Sequence, residues 1–154
     1  MERQFRLQTV LNYRRDIEEA RQMELARLQA EEQTAQAQLK AFHDAERQGE
    51  NDMARLQTET PLNVGALVQG QVYIEAVRMA VLMQNDVVAE ISARVAAKRQ
   101  ELILAMQDRQ ALDRLKENHA KAYAAWADKV ETSAIDDMVN ARFHRREKIA
   151  DPIE

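Results

Sequence analysis

The stretch Leu67–Leu112, LVQGQVYIEAVRMAVLMQNDVVAEISARVAAKRQELILAMQDRQAL, decides the fold. Leu67, Ile74, Val81, Val88, Val95 and Leu102 recur at every seventh position, and Val77, Ile91, Ala105 and Leu112 sit at an offset of three within the same seven-residue period. Spacings of three and four keep one stripe of a helix turned toward a partner helix, so this is a coiled-coil seam. A long paired helix has little concave surface for chemistry. The pattern therefore predicts a protein that others bind, not an enzyme.

The partner helix lies upstream. Leu25, Leu28, Ala35, Leu39, Phe42, Gly49, Met53 and Leu56 follow the same spacing, with Glu32 and Glu46 interrupting it. Val10, Tyr13, Ile17 and Ala20 read as a different phase, which predicts a stutter between Ile17 and Leu28. Pro61 disfavours helix at Thr60, and Asn63 can cap a second helix. Two long helices joined by so short a turn run antiparallel. Folding near Pro61 places Leu56 beside Leu67, Leu39 beside Gln84 and Leu28 beside Val95. The start of the first helix then meets the second near Lys116 or His119. Roughly 28 residues of the second helix are left unpaired, about 40 Å at ~1.5 Å per residue.

The expected architecture is all-α: one coiled-coil domain over residues 1–154, with a first helix at 3–60, a turn at 61–64, a longer second helix at 65–147 and a frayed tail at 148–154. Composition agrees, since 154 residues hold only 3 Gly, 2 Pro and 5% aromatics against 31% charged residues. A net charge of -4 argues against nucleic-acid binding. The absence of cysteine excludes disulfides and thiolate metal sites. The start, Met1–Phe5, lacks an apolar core, so no secretory signal peptide is expected. No apolar run approaches the ~18 residues of a membrane span. A cytoplasmic protein without direct membrane insertion is the expectation.

Catalytic and ligand-binding patterns are missing. His43, His119 and His144 are far apart, with no converging ligands around them, so no metal site is expected. The carboxylates alternate with Arg, Lys and Gln as on a solvated helix face. Three scattered glycines form no phosphate loop, so no cofactor is expected. The overhang of the second helix is more informative, because Tyr123, Trp126, Val130, Ile135, Met138, Val139 and Phe143 lie where the first helix cannot cover them. Large apolar groups left in water mark a binding surface. Antiparallel pairing is also expected to gather Arg3, Arg6, Arg14 and Arg15 with Arg142, Arg145, Arg146 and Lys148 at one end. The opposite tip carries Asp44, Glu46, Glu50, Asp52, Glu59 and Glu75.

Two stretches resemble a known family. The start, Phe5-Arg6-Leu7-Gln8-Thr9-Val10-Leu11-Asn12-Tyr13-Arg14-Arg15 followed by Glu18-Glu19-Ala20 and Leu25-Ala26, resembles the opening of the flagellar export protein FliJ family. The close, Ala134-Ile135-Asp136-Asp137-Met138 and then Arg142-Phe143-His144-Arg145-Arg146-Glu147, is similar to that family as well. Injectisome stalk proteins of the YscO type look similar, and an unrelated coiled-coil adaptor or chaperone is the alternative from another class.

The resemblance implies a non-enzymatic central-stalk protein of the flagellar type III export apparatus. It implies an end inserted in the hexameric export ATPase, here Arg3, Arg6, Arg14, Arg15, Trp126, Val130, Val139, Arg142, Phe143, Arg145 and Arg146. It implies a face for the export gate membrane protein at Gln38, Phe42, Tyr73, Val77 and Ala80. Ala45 and Gly49 depart from the aromatics favoured at their positions. Export chaperones are further implied partners, and the implied location is peripheral, on the cytoplasmic side of the cell membrane at the flagellar base.

Overall fold

A computed structural model of the chain describes the backbone of residues 4–150 and the side chains of residues 4–146. Two helices, α1 (Gln8–Leu56) and α2 (Val64–Ala150), form a helical hairpin with the second helix longer, and there is no strand among the described residues. Arg3, Lys148 and residues 151–154 of the expected tail lie outside the described residues or their side chains.

The helix ends follow local chemistry. No Ser, Thr, Asp or Asn stands near residue 3 to cap a helix there. The chain instead makes a turn in which the Gln8 amide donates to the Phe5 carbonyl at 3.0 Å, and α1 begins at Gln8. At its other end the Thr58 amide donates to the Arg55 carbonyl at 3.1 Å and the Thr58 hydroxyl to the same oxygen at 2.7 Å, a tightened last turn. The connection is therefore residues 57–63, longer than the expected 61–64. Asn63 caps α2 as expected, its Oδ1 accepting from the Ala66 amide at 3.0 Å.

The chain falls into two units, residues 17–105 and residues 1–16 with 106–154. In the first of these, Leu28, Ala35 and Gly49 of α1 are buried with Ile74, Val77, Val81, Val95 and Ala105 of α2. Leu25, Leu39, Phe42, Met53 and Leu56 are half-buried, as are Leu67, Val88, Ile91 and Leu102. These are the residues that the heptad spacing selects. The register also agrees with the expected one. A Cβ on Gly49 would meet Ile74 Cγ1 at 3.1 Å, and one on Gly70 would collide with the Met53 side chain. The Gln84 amide donates to the Ala35 carbonyl at 3.0 Å. Both glycines thus mark close approach between helices, which offsets their cost of about 1 kcal/mol against Ala.

Ion pairs cross the hairpin of this unit, among them Lys98–Glu24 at 2.9 Å, Arg21–Glu101 at 3.3 Å and Arg78–Glu46 at 2.8 Å. Exposed pairs contribute about 0–1 kcal/mol each, whereas burying a Val, Leu or Ile contributes about 1.5–3 kcal/mol. The apolar seam therefore dominates.

The other unit pairs the start of α1 with α2 beyond Met106. Leu11 is completely buried there. Val10 and Tyr13 are exposed, at 42% and 62%, and Ala20 is exposed in the neighbouring unit, so the expected change of phase is not present. Leu11, Arg14, Glu18, Arg21, Leu25 and Leu28 face inward as an unbroken continuation of the heptads, and Ile17, the one half-buried residue of the expected other phase, flanks them. Polar residues occupy three of these inward positions, which is why apolar spacing alone pointed to the wrong stripe.

Candidate interaction surfaces

The first surface belongs to the unit that contains the described chain start. Phe5 lies against His119, ring centroids 5.9 Å apart and tilted by 58°. Gln4, Phe5 and Gln8 line a groove with Lys116, His119, Ala120 and Tyr123 of α2. Pairing therefore ends where the sequence placed it. Beyond it, Tyr123 and Trp126 stack along α2 with centroids 5.7 Å apart, and Trp126 remains 42% exposed. Val130, Ile135, Met138, Val139 and Phe143 are exposed as well. Val139 and Phe143 border a shallow groove with Arg142, Arg145 and Arg146. Apolar contact area and positive charge share this part of α2.

The expected gathering of all the cations does not occur. Arg14 pairs with Asp108 at 3.0 Å, and Arg15 with Asp113 at 3.0 Å. Arg109 also donates to Asp113, at 2.7 Å. Arg142 is then some 34 residues farther along α2 than Asp108, about 50 Å at ~1.5 Å per residue. The overhang itself keeps the two groups apart. The Asp113 carboxyl is held below the usual carboxylate range, first by the hydrogen bond from Arg109 and then by that from Arg15. Arg14 and Arg15 are thus committed to the hairpin.

The second surface lies in the unit of residues 17–105. Gln38 is exposed, Phe42 and Ala80 are half-buried, and Tyr73 is 51% exposed with its ring against Gly49. Val77 is 8% exposed, a seam residue that supports this face rather than presenting it. Part of the acidic tip is paired internally. Arg78 donates to Glu46 and Glu50 at 2.8 Å each, Arg47 pairs with Asp44, and Arg55 with Asp52. Farther along, Glu24 is held below its ordinary range by hydrogen bonds from Lys98 and then Arg21, and Lys98 is raised by Glu101 and then Glu24.

Sequence reading missed an apolar stripe in this unit. Val68, Val72, Met79, Leu82 and Met83 are exposed on the side of α2 away from the seam. The signal was available, because Val64–Asn85 contains only Glu75 and Arg78 as charged residues. A helix apolar on both faces departs from the amphipathic pattern of a surface helix.

Among the described residues no group of three His, Asp or Glu is placed to hold a metal. No helix there is long and apolar enough to cross a membrane.

Comparison with protein families matches residues 3–148 to the model described as "Flagellar FliJ protein". The chain belongs to the FliJ family. Membership ties this FliJ-family protein to flagellar protein export, as a non-enzymatic helical component. No curated protein and no solved structure gives a significant match.

Proposed function

We propose that this FliJ-family chain is a central-stalk coupling protein of the flagellar type III export apparatus, acting at the cytoplasmic side of the membrane. The observation that carries this reading is the length of α2 past Tyr123, where Trp126 and Val130 are exposed and, farther along, Val139 and Phe143 are exposed beside Arg142, Arg145 and Arg146. Large exposed apolar and aromatic groups flanked by cations suit a protein partner, with charge setting encounter and apolar contact setting residence time. In this reading the partner is the hexameric export ATPase. Gln38, Phe42, Tyr73 and Ala80, backed by Val77, bind the export gate membrane protein, and export chaperones are further cargo.

Arg14 and Arg15 support the hairpin in this reading and contact the ATPase only secondarily, since Asp108 and Asp113 already hold them. The test is co-purification with the export ATPase, with ATP hydrolysis measured with and without this chain. A stable complex and a changed rate are expected. No complex and an unchanged rate would overturn the proposal in favour of an adaptor role elsewhere in the apparatus.

A further inference from the structure

The polar residues in the seam of the 17–105 unit alternate with apolar ones. On α1 one line of the seam runs Leu25, Glu32, Leu39, Glu46, Met53. On α2 the opposing line runs Gly70, Val77, Gln84, Ile91, Lys98, Ala105. Both repeat over two heptads. In the observed register they are out of step, so that Glu46 is level with Val77, Leu39 with Gln84, Glu32 with Ile91 and Leu25 with Lys98. The polar groups then find partners to the side. Glu46 takes Arg78 at 2.8 Å, Glu32 takes the Ser92 hydroxyl at 2.5 Å, and Lys98 reaches Glu24 and Glu101 at 2.9 Å each. Gln84 donates to the Ala35 carbonyl at 3.0 Å.

Moving α1 by one heptad toward the far end of α2 brings the two lines into step. Glu46 becomes level with Gln84, Glu32 with Lys98, Leu39 with Ile91 and Leu25 with Ala105. The other line of the seam stays apolar throughout, with Leu28 on Leu102, Ala35 on Val95, Phe42 on Val88 and Leu56 on Ile74. Because the polar pattern repeats over two heptads, a step the other way also matches polar with polar. The turn separates the two directions. The first step takes up Val64–Gly70, which holds two of the chain's three glycines and surrenders one seam leucine, Leu67. The opposite step must unwind Glu50–Leu56, which has no glycine and contains Met53, Leu56 and the Asp52–Arg55 pair. Glycine is the weakest helix former after proline, so the first direction is the easier one.

We infer that the hairpin of this unit has a second register, one heptad away, reached by unwinding Val64–Gly70. In the neighbouring unit the same step parts Arg14 from Asp108 and brings it level with Lys116, a like-charge pairing that keeps the observed register as the resting state. Movements of one packed helix past another by whole turns occur in switching proteins, because interdigitated side chains allow discrete positions and not a continuum, and a heptad is two such turns. The step here is roughly 10 Å along the helix axis. The inference is independent of the proposed partners.

The chain has no cysteine, so engineered pairs report cleanly. Ala35→Cys is combined in the full chain with Val88→Cys for the observed register, Val95→Cys for the second register, or Val81→Cys for the opposite step. The last two are equal substitutions, each about 10 Å from Ala35 and beyond the ~7 Å that a disulfide spans. In a thiol–disulfide buffer the Val88 pair should close most. The Val95 pair should close at least about ten-fold more than the Val81 pair. Equal closure of the Val95 and Val81 pairs would overturn the inference. Should a double variant lose helicity, hydrogen exchange of the unsubstituted chain decides. Val68–Gly70 amides should exchange at least about ten-fold faster than Asp52–Leu56 amides, and equal rates, or faster exchange at Asp52–Leu56, would equally overturn it.

Discussion

Val95→Asp is the sharpest probe of the seam. Val95 is 2% exposed and sits level with Leu28, itself 7% exposed. Losing the buried valine side chain removes about 1.5–3 kcal/mol of apolar burial. The new carboxylate must then be desolvated, protonated or turned toward Lys98 one turn on, and an uncompensated buried charge costs about 3–5 kcal/mol when no good partner is found. Partial rescue by Lys98 is limited, since that amine already holds Glu24 and Glu101. A net loss of about 4 kcal/mol is expected, which for a chain of this size lowers the melting temperature by about 8–16 °C. The control is Glu31→Gln. Glu31 has a side chain 42% exposed, with Arg27 at 3.5 Å and Arg94 at 4.0 Å, and its loss should cost under about 0.5 kcal/mol. Circular-dichroism melts at neutral pH compare the two. If both variants melt together, or Val95→Asp falls by less than about 2 °C, the seam is not where the stability resides and the reasoning fails.

Gly70→Leu should destabilise by about 1–3 kcal/mol, because Met53 already fills the space its side chain needs, whereas Gly65→Ala, with only Asn63 Oδ1 at 3.6 Å, should stabilise by up to about 1 kcal/mol; thermal melts separate them. Asp113 and Glu24 have lowered pKa values in the folded chain, so their contribution is present above the unfolded carboxylate range and is lost as pH falls through the lowered folded values. Lys98 is raised, so its contribution persists up to its unfolded value and is lost as pH rises through the folded one; denaturant midpoints across pH should fall at both extremes, and a flat acid limb would contradict the first. Replacing Arg142, Arg145 and Arg146 together by Glu should slow association with the export ATPase and reverse its salt dependence, while Trp126→Ala should speed dissociation; unchanged kinetics in helical variants would count against that surface. Tyr73→Ala should weaken gate binding and leave ATPase binding intact, and unchanged gate affinity would reduce Tyr73 to a flank of Gly49.

The register of the hairpin was legible in the sequence because the seam of α2 is written in branched apolar residues and only one turn signal, around Pro61 and Asn63, interrupts the helices. Once those two facts are known, antiparallel pairing about the shortest connection joins Gly49 to Ile74 and ends near His119. The start of α1 was not legible. Arg14, Glu18 and Arg21 stand at inward positions, and a polar residue is tolerated there only because of what faces it across the hairpin, as Asp108 faces Arg14 and Glu101 faces Arg21. Spacing within one helix cannot supply that information.

The fate of the cations was decided in the same way. As a sequence, Arg14 and Arg15 are a basic cluster equivalent to Arg145 and Arg146. In three dimensions the first pair is spent on Asp108 and Asp113, while the second lies on helix that α1 does not reach. Helix phase is a local property of the chain. Which charges remain available to a partner depends on the groups brought opposite them, and that only the tertiary structure determines.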